Sequence, residues 1–207
     1  MSTSRRTSTE RADPKPVSST RFSIGVTGAR TLTNASLVGS RIESVLAKIC
    51  DELQRRSVAP LRYVILSPLA EGADRLVAWK GFEMLDADLE VVLPLDESDY
   101  IDDFETPESK AEFKKLRARA QRLTQVDPAA NRAEAYEMAG RYVVDHCDVL
   151  IALWDGEPAS GRGGTAEIVS YARRQGCPLY WISTEDGRIS EELGSGLGLR
   201  QEFRDEL

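Results

Sequence analysis

A chain of 207 residues suits one domain with short tails, because a single core of that size buries enough surface to fold alone. With 41% hydrophobic and 29% charged residues, no window comes near the roughly 20 apolar residues of a spanning helix, so no membrane partner is expected. The formal charge of -7 argues against the broad cationic footprint of a nucleic-acid binder. It leaves room for one small anion held largely by backbone amides.

Residues 1–20 lack apolar periodicity and are punctuated by Pro14 and Pro16, the pattern of a disordered leader. Their basic, Ser/Thr-rich start has no apolar stretch of the secretory kind, which places the protein in the cytoplasm. The domain is expected over residues 21–185, with 186–207 a C-terminal tail of helical character. Cys50, Cys147 and Cys177 are odd in number and far apart along the chain. They suit neither a disulfide framework nor a paired-thiolate zinc site and read as small buried hydrophobes.

The run Phe22–Val26 alternates like a strand and ends at Thr27-Gly28; Leu37, Ile42, Val45, Leu46, Ile49 and Leu53 then recur at helical spacing. Tyr63–Leu66 is a second strand, Ser67–Gly72 a loop and Leu76–Met84 a helix, and Leu89–Leu93 is a third strand stopped by Pro94. Thr106-Pro107 supplies an N-cap followed by proline at the first helical position, starting a charged helix that runs to about Arg122. A second helix covers about Asn131 to Asp145. The strand Cys147–Leu153 is the most apolar in the chain and is expected to be central, since strands covered on both faces read as continuous apolar runs. A glycine-rich loop, a helix from Thr165 to Gln175 and a strand at Leu179–Ile182 complete the pattern. Alternating strands and helices predict a Rossmann-like, doubly wound parallel α/β sheet of about five strands in the order 3-2-1-4-5. In that order the chain reverses between its first and fourth strands, and ligands bind beyond the carboxyl ends of strands at such a switch point.

Three loops reach that edge. The loop after the fourth strand holds Trp154, Asp155, Gly163, Gly164, Thr165 and Glu167 and ends at a helix start, where free N–H groups and the helix dipole favour an anion. The loop after the first strand, Thr27-Gly28-Ala29-Arg30, offers a guanidinium whose planar fork suits two phosphate oxygens. Its spacing matches neither the dinucleotide glycine fingerprint nor the P-loop, which counts against hydride transfer and ATP hydrolysis. The second loop, Ser67 with Glu71-Gly72-Ala73-Asp74, looks like another anion cradle whose acids could accept from ribose hydroxyls or a base. The alternative at every position is plain turn chemistry, a cap or a dipole partner. The binding reading requires Gly28 and Gly163 to face one crevice.

Gly25-Val26-Thr27-Gly28, Ser67-Pro68-Leu69-Ala70-Glu71-Gly72-Ala73-Asp74, and Cys147-Asp148-Val149-Leu150-Ile151-Ala152-Leu153-Trp154-Asp155-Gly156 with Gly163-Gly164-Thr165-Ala166-Glu167 together resemble the SLOG superfamily. That group includes bacterial sensors of nucleotide-derived signals, the DNA-processing protein A domain and the Lonely Guy phosphoribohydrolases, and the resemblance runs from Phe22 to Ile182. It implies a nucleotide-like ligand over the loops at Thr27, Ser67 and Gly163, in a bacterial conflict or defence setting, with a homo-oligomer or a separate effector protein supplying the output. The enzymes of the group carry a glutamate three residues after the threonine; here Ile168 stands there, and Glu167 is one residue early, turned about 100° around the helix. Where relatives tend to have histidine in the first loop, this chain has Ala29. A sensor without a catalytic set is therefore the leading reading. An N-glycosidic hydrolase or transferase using Glu167 or Glu71 is the alternative, and a nucleic-acid module ranks third on charge.

No metal site and no cofactor are expected. The acidic segment Asp96, Asp99, Asp102, Asp103 and Glu105 could place Mg2+ beside a ligand phosphate, although a solvated loop explains it as well. Tyr100 and Phe104 within it either cover a base or pin the segment to the core.

Overall fold

The computed structural model describes residues 19–158, 163–194 and 196–197. Residues 1–18 of the expected leader and 159–162 of the glycine-rich loop lie outside the described residues. The elements are β1 (Thr20–Gly28), α1 (Ala35–Arg56), β2 (Leu61–Ser67), α2 (Ala73–Leu85), β3 (Asp88–Leu93), α3 (Glu97–Asp102), α4 (Pro107–Arg117), β4 (Arg122–Gln125), α5 (Arg132–His146), β5 (Val149–Trp154), α6 (Thr165–Gln175), β6 (Leu179–Ser183) and β7 (Ile189–Glu192).

They build a seven-stranded sheet in the order β4-β3-β2-β1-β5-β6-β7. Every pairing is parallel except β6 with β7. Without its two edge strands the order is the expected 3-2-1-4-5. Both additions correct the sequence reading. α4 ends at Arg117, short of the expected Arg122, and β4 occupies the stretch between the two expected helices, while β7 lies in the first part of the tail that was expected to be helical, so the sheet extends past residue 185. Each is only four residues long and carries little apolar alternation, as suits edge strands, which are kept short and polar. β7 is held by Ile182 pairing with Ile189 and by ion pairs from Arg173 to Glu192 and Lys48 to Glu191.

Alternation along β5 explains its unbroken apolar run. Val149, Ile151 and Leu153 join the core shared with the buried faces of α1 and α2, while Leu150 and Ala152 join the core under α5 and α6. Helix α1 buries Val38, Ile42, Val45, Leu46, Ile49 and Leu53, one stripe at helical spacing. It starts at Asn34, whose side chain accepts from the Leu37 amide, and ends with Arg55 and Arg56 near the negative end of its dipole. Cys147 and Cys177 are buried as expected, their sulfurs 3.7 Å apart, whereas Cys50 is only half-buried.

The start of α5 is set by Asn131, whose Oδ1 accepts from the Glu134 amide at 3.0 Å, while Glu134 accepts in turn from the Ala130 amide. This reciprocal capping fixes where the first turn of α5 begins. Asn131→Ala is expected to destabilise the protein by about 1 kcal/mol, read as a lower urea midpoint at unchanged slope.

Candidate functional site

β1 lies between β2 and β5, so the chain leaves β1 toward one side of the sheet and returns to its other side. A cleft of about 320 Å³ opens over the carboxyl ends of these strands, at the low end of the ~300–1,000 Å³ usual for small-ligand sites. Val26, Thr27, Gly28, Ala29 and Arg30 line it from β1 and its loop, Pro68, Ala70 and Asp74 from the β2–α2 connection, and Gly163, Gly164, Thr165 and Ile168 from the start of α6. Tyr100 of α3 and Tyr136, Ala139 and Gly140 of α5 complete the wall. Gly28 and Gly163 face the same space.

The two anchoring loops differ chemically. At α6 the N-cap is Gly164, with no side-chain cap bond, and the first turn carries Glu167, whose carboxylate accepts from the Gly163 amide beside the backbone donors at the positive dipole end. Arg30 adds its guanidinium, 5.1 Å over the Tyr136 ring. Tyr136 itself bonds to Asp103, which also pairs with Arg132 at 2.8 Å. At α2 the anion-cradle expectation is corrected. The Ala73 amide donates to the Ala29 carbonyl at 3.0 Å, so it is spent within the protein, and the first turn carries Asp74, which is itself buried.

Asp74 is 4% exposed and accepts from the Ala70 amide at 3.1 Å. Burial pushes its pKa up to about 7, against the lowering pull of the Ala70 amide, the Ser67 hydroxyl and the Arg30 and Arg75 charges. The loop before it is held firmly. Leu69 is fully buried at φ 59, a left-handed conformation rare for leucine. It is fixed by its amide donating to the Ser67 hydroxyl at 2.9 Å and its carbonyl accepting from Arg75 Nε at 3.1 Å. Arg75, itself buried, also reaches the Ser109 carbonyl and lies 4.4 Å over the Phe104 ring.

No family model and no curated protein sequence matches this chain. Among solved structures it is similar to the X-ray structure of DNA processing protein A (DprA) from Streptococcus pneumoniae, with a TM-score of 0.52 and 17% sequence identity. The match covers 80% of this chain and 52% of that one, so the chain spans about half the length of that protein. The likeness is one of Rossmann-like fold.

Several expected site residues fall outside the cleft lining. Ser67 is fully buried beneath the loop, and Glu71 accepts from the Ser109 hydroxyl beside a different, wider groove that Gly72 also borders. Ala73 packs in the core. Trp154 tucks under its own loop, donating to the Glu157 carbonyl at 2.9 Å and lying 5.2 Å from the Trp181 ring, and Asp155 accepts from the Glu157 amide. Glu167 turns back to accept from the Gly163 amide at 2.8 Å, leaving the wall to Ile168, which packs against Gly140. Both glutamates weighed as catalytic thus have structural partners elsewhere.

The acidic segment is neither a bare loop nor a gathered ligand set. Asp96 bonds Gln125, while Glu97 pairs with Arg117 and Asp102 with Lys110. Among the described residues no group of three or more His, Cys, Asp or Glu is assembled as metal ligands are, and no helix is long and apolar enough to cross a membrane. Tyr100 and Phe104 are buried, with ring centroids 5.0 Å apart, so they pin the segment while Tyr100 still borders the cleft. Tyr136, Ala139 and Gly140 lie within α5, away from the strand-end loops that the sequence pattern singles out. Their spacing on α5 puts them on one helix face, and two small residues one turn beyond a tyrosine are the sequence signal for a wall that must stay open.

Proposed function

We propose that the protein binds a nucleotide or nucleotide-derived anion in this cleft as a SLOG-type sensor. One observation carries the reading: Gly28 and Arg30 from the β1 loop and Gly163, Gly164 and Thr165 from the α6 start line a single cleft at the switch point. A helix start whose N-cap is a glycine, beside a guanidinium, is suited to a phosphate. The cleft volume suits one nucleotide unit better than a dinucleotide. The N-glycosidic alternative loses support because Glu167 bonds the Gly163 amide and Glu71 bonds Ser109. A sensor of this kind needs an output, supplied by a homo-oligomer or an effector protein, and a bacterial defence setting is consistent with the SLOG-like motifs.

The test is a thermal-shift screen of nucleoside mono- and diphosphates and cyclic nucleotides, followed by calorimetry and chromatography of the recovered ligand. Saturable binding of a ligand that emerges unchanged is expected; release of free base would turn the reading toward hydrolysis. Arg30→Ala and Gly164→Val are each expected to weaken binding roughly tenfold, the effect of losing a charge-assisted hydrogen bond, with melting temperature nearly unchanged. Full affinity in both variants would remove these loops from the site.

A further inference from the structure

We propose that Asp74 and Tyr100 form a hydroxyl-reading subsite on the floor of the cleft, which makes it selective for ribonucleotides over 2′-deoxyribonucleotides. The inference rests on the nucleotide reading above and adds which part of the ligand meets which wall.

The walls of the cleft carry different groups. The α6 start offers backbone donors at a positive dipole end, offset in part by Glu167, and Arg30 adds a guanidinium, so a phosphate belongs there. The β2–α2 wall offers Asp74, the one carboxylate among the described residues that line the cleft, and a phosphate is repelled by it. In a space of about 320 Å³, a guest anchored by its phosphate at α6 brings its sugar to the opposite wall. A carboxylate there is suited to accepting from sugar hydroxyls. It presents about four lone-pair sites, of which the Ala70 amide and the Ser67 hydroxyl occupy part.

Tyr100 supplies the second observation. It is fully buried, with its ring against Phe104 and Phe113, yet its hydroxyl has no hydrogen-bond partner. That oxygen lies near Asp74, Tyr136, Arg30 and Arg75, the first three of which border the cleft. Buried hydroxyls are satisfied in the great majority of cases, and phenylalanine would fill the same packing space without the unpaired group. A ligand oxygen accepting from Tyr100, while the neighbouring ligand hydroxyl donates to Asp74, supplies the missing partner. A site that hydrogen-bonds a substrate hydroxyl also rejects the analogue lacking it, because its own polar groups are then left unpaired.

The experiment is calorimetric titration of the full chain with AMP, GMP, CMP and UMP, their 2′-deoxy counterparts, and inorganic phosphate. At least one ribonucleotide should bind roughly 10- to 100-fold more tightly than its deoxy form, the range for a hydrogen bond to a charged group. Tyr100→Phe retains the ring packing and should fold with an equal or higher melting temperature. That variant and Asp74→Asn should bring the ribo-to-deoxy ratio toward one, Tyr100→Phe leaving phosphate affinity unchanged and Asp74→Asn leaving it unchanged or raising it. Phosphate binding with equal affinities for the two nucleotide series, or with no gain from either, overturns the hydroxyl subsite alone. Absence of phosphate and nucleotide binding together overturns the underlying site and this inference with it.

Discussion

Gly72→Ala will destabilise the domain by about 4 kcal/mol, measured by urea unfolding. Gly72 stands at φ 75 and ψ -111 as the N-cap of α2, a region that non-glycine residues occupy at a cost of ~1–3 kcal/mol. An added Cβ would also lie 2.5 Å from the Ala29 carbonyl oxygen and against the Arg30 carbonyl. These are backbone atoms that cannot rotate aside, and forced overpacking costs a further ~1–3 kcal/mol. The contact exists because the first two loops are stitched together, Ala73 donating to Ala29 directly after the glycine. The substitution therefore attacks the seam between two walls of the cleft. An unfolding midpoint equal to that of the unsubstituted protein would mean that the seam is looser than described. Gly164 is the contrast: at φ -78 and ψ 162 its backbone torsions are open to any residue, so a substitution there carries no such torsional cost.

That contrast marks how far the residues alone reach. Gly72 and Gly164 look alike in a sequence, each preceding a helix after a strand, and their backbone torsions separate them. Strand order was legible because β5 is apolar at every position, which requires cover on both faces and hence a central place. β4 and β7 were illegible because an edge strand takes its stability from one neighbour's backbone and leaves its side chains free to be polar. The crevice was legible from the switch point, which depends on strand order and on no single side chain. The fate of individual acids was not. Glu167 and Glu71 are bound by local partners, while Asp74, similar in composition and position, is turned inward by the Leu69 turn and the Ala70 amide. Spacing along a chain does not encode such a difference of one turn in direction.

Asp74 yields the second large effect. In the folded protein its pKa lies near 7 because burial penalises the charged form; Arg30, Arg75, the Ser67 hydroxyl and the Ala70 amide offset this only in part, and Tyr100 faces it as a neutral phenol. In the unfolded chain it ionises near the ordinary value of 3.8. Between those two values the folded state holds a proton that the unfolded state has lost, so its contribution to stability falls as pH rises, and it levels off above about 7. The gap corresponds to ~4 kcal/mol. Asp74→Asn keeps an oxygen for the Ala70 amide and has no charge to bury. Its unfolding free energy relative to the unsubstituted protein should therefore climb by about that amount from about pH 4 to about pH 8, as read from parallel urea titrations. A flat difference would place the ionisation of Asp74 in the ordinary range. The same titration bears on the ligand. Sugar hydroxyls donate best to the ionised carboxylate, so the ribo-to-deoxy affinity ratio should rise as pH passes through about 7. Taking the ratio cancels the ligand phosphate's own protonation, and the asparagine variant should show no such rise. On the proposed reading, one buried carboxyl lowers the stability of the fold at neutral pH and gains further hydrogen-bond donors when a ribonucleotide fills the cleft.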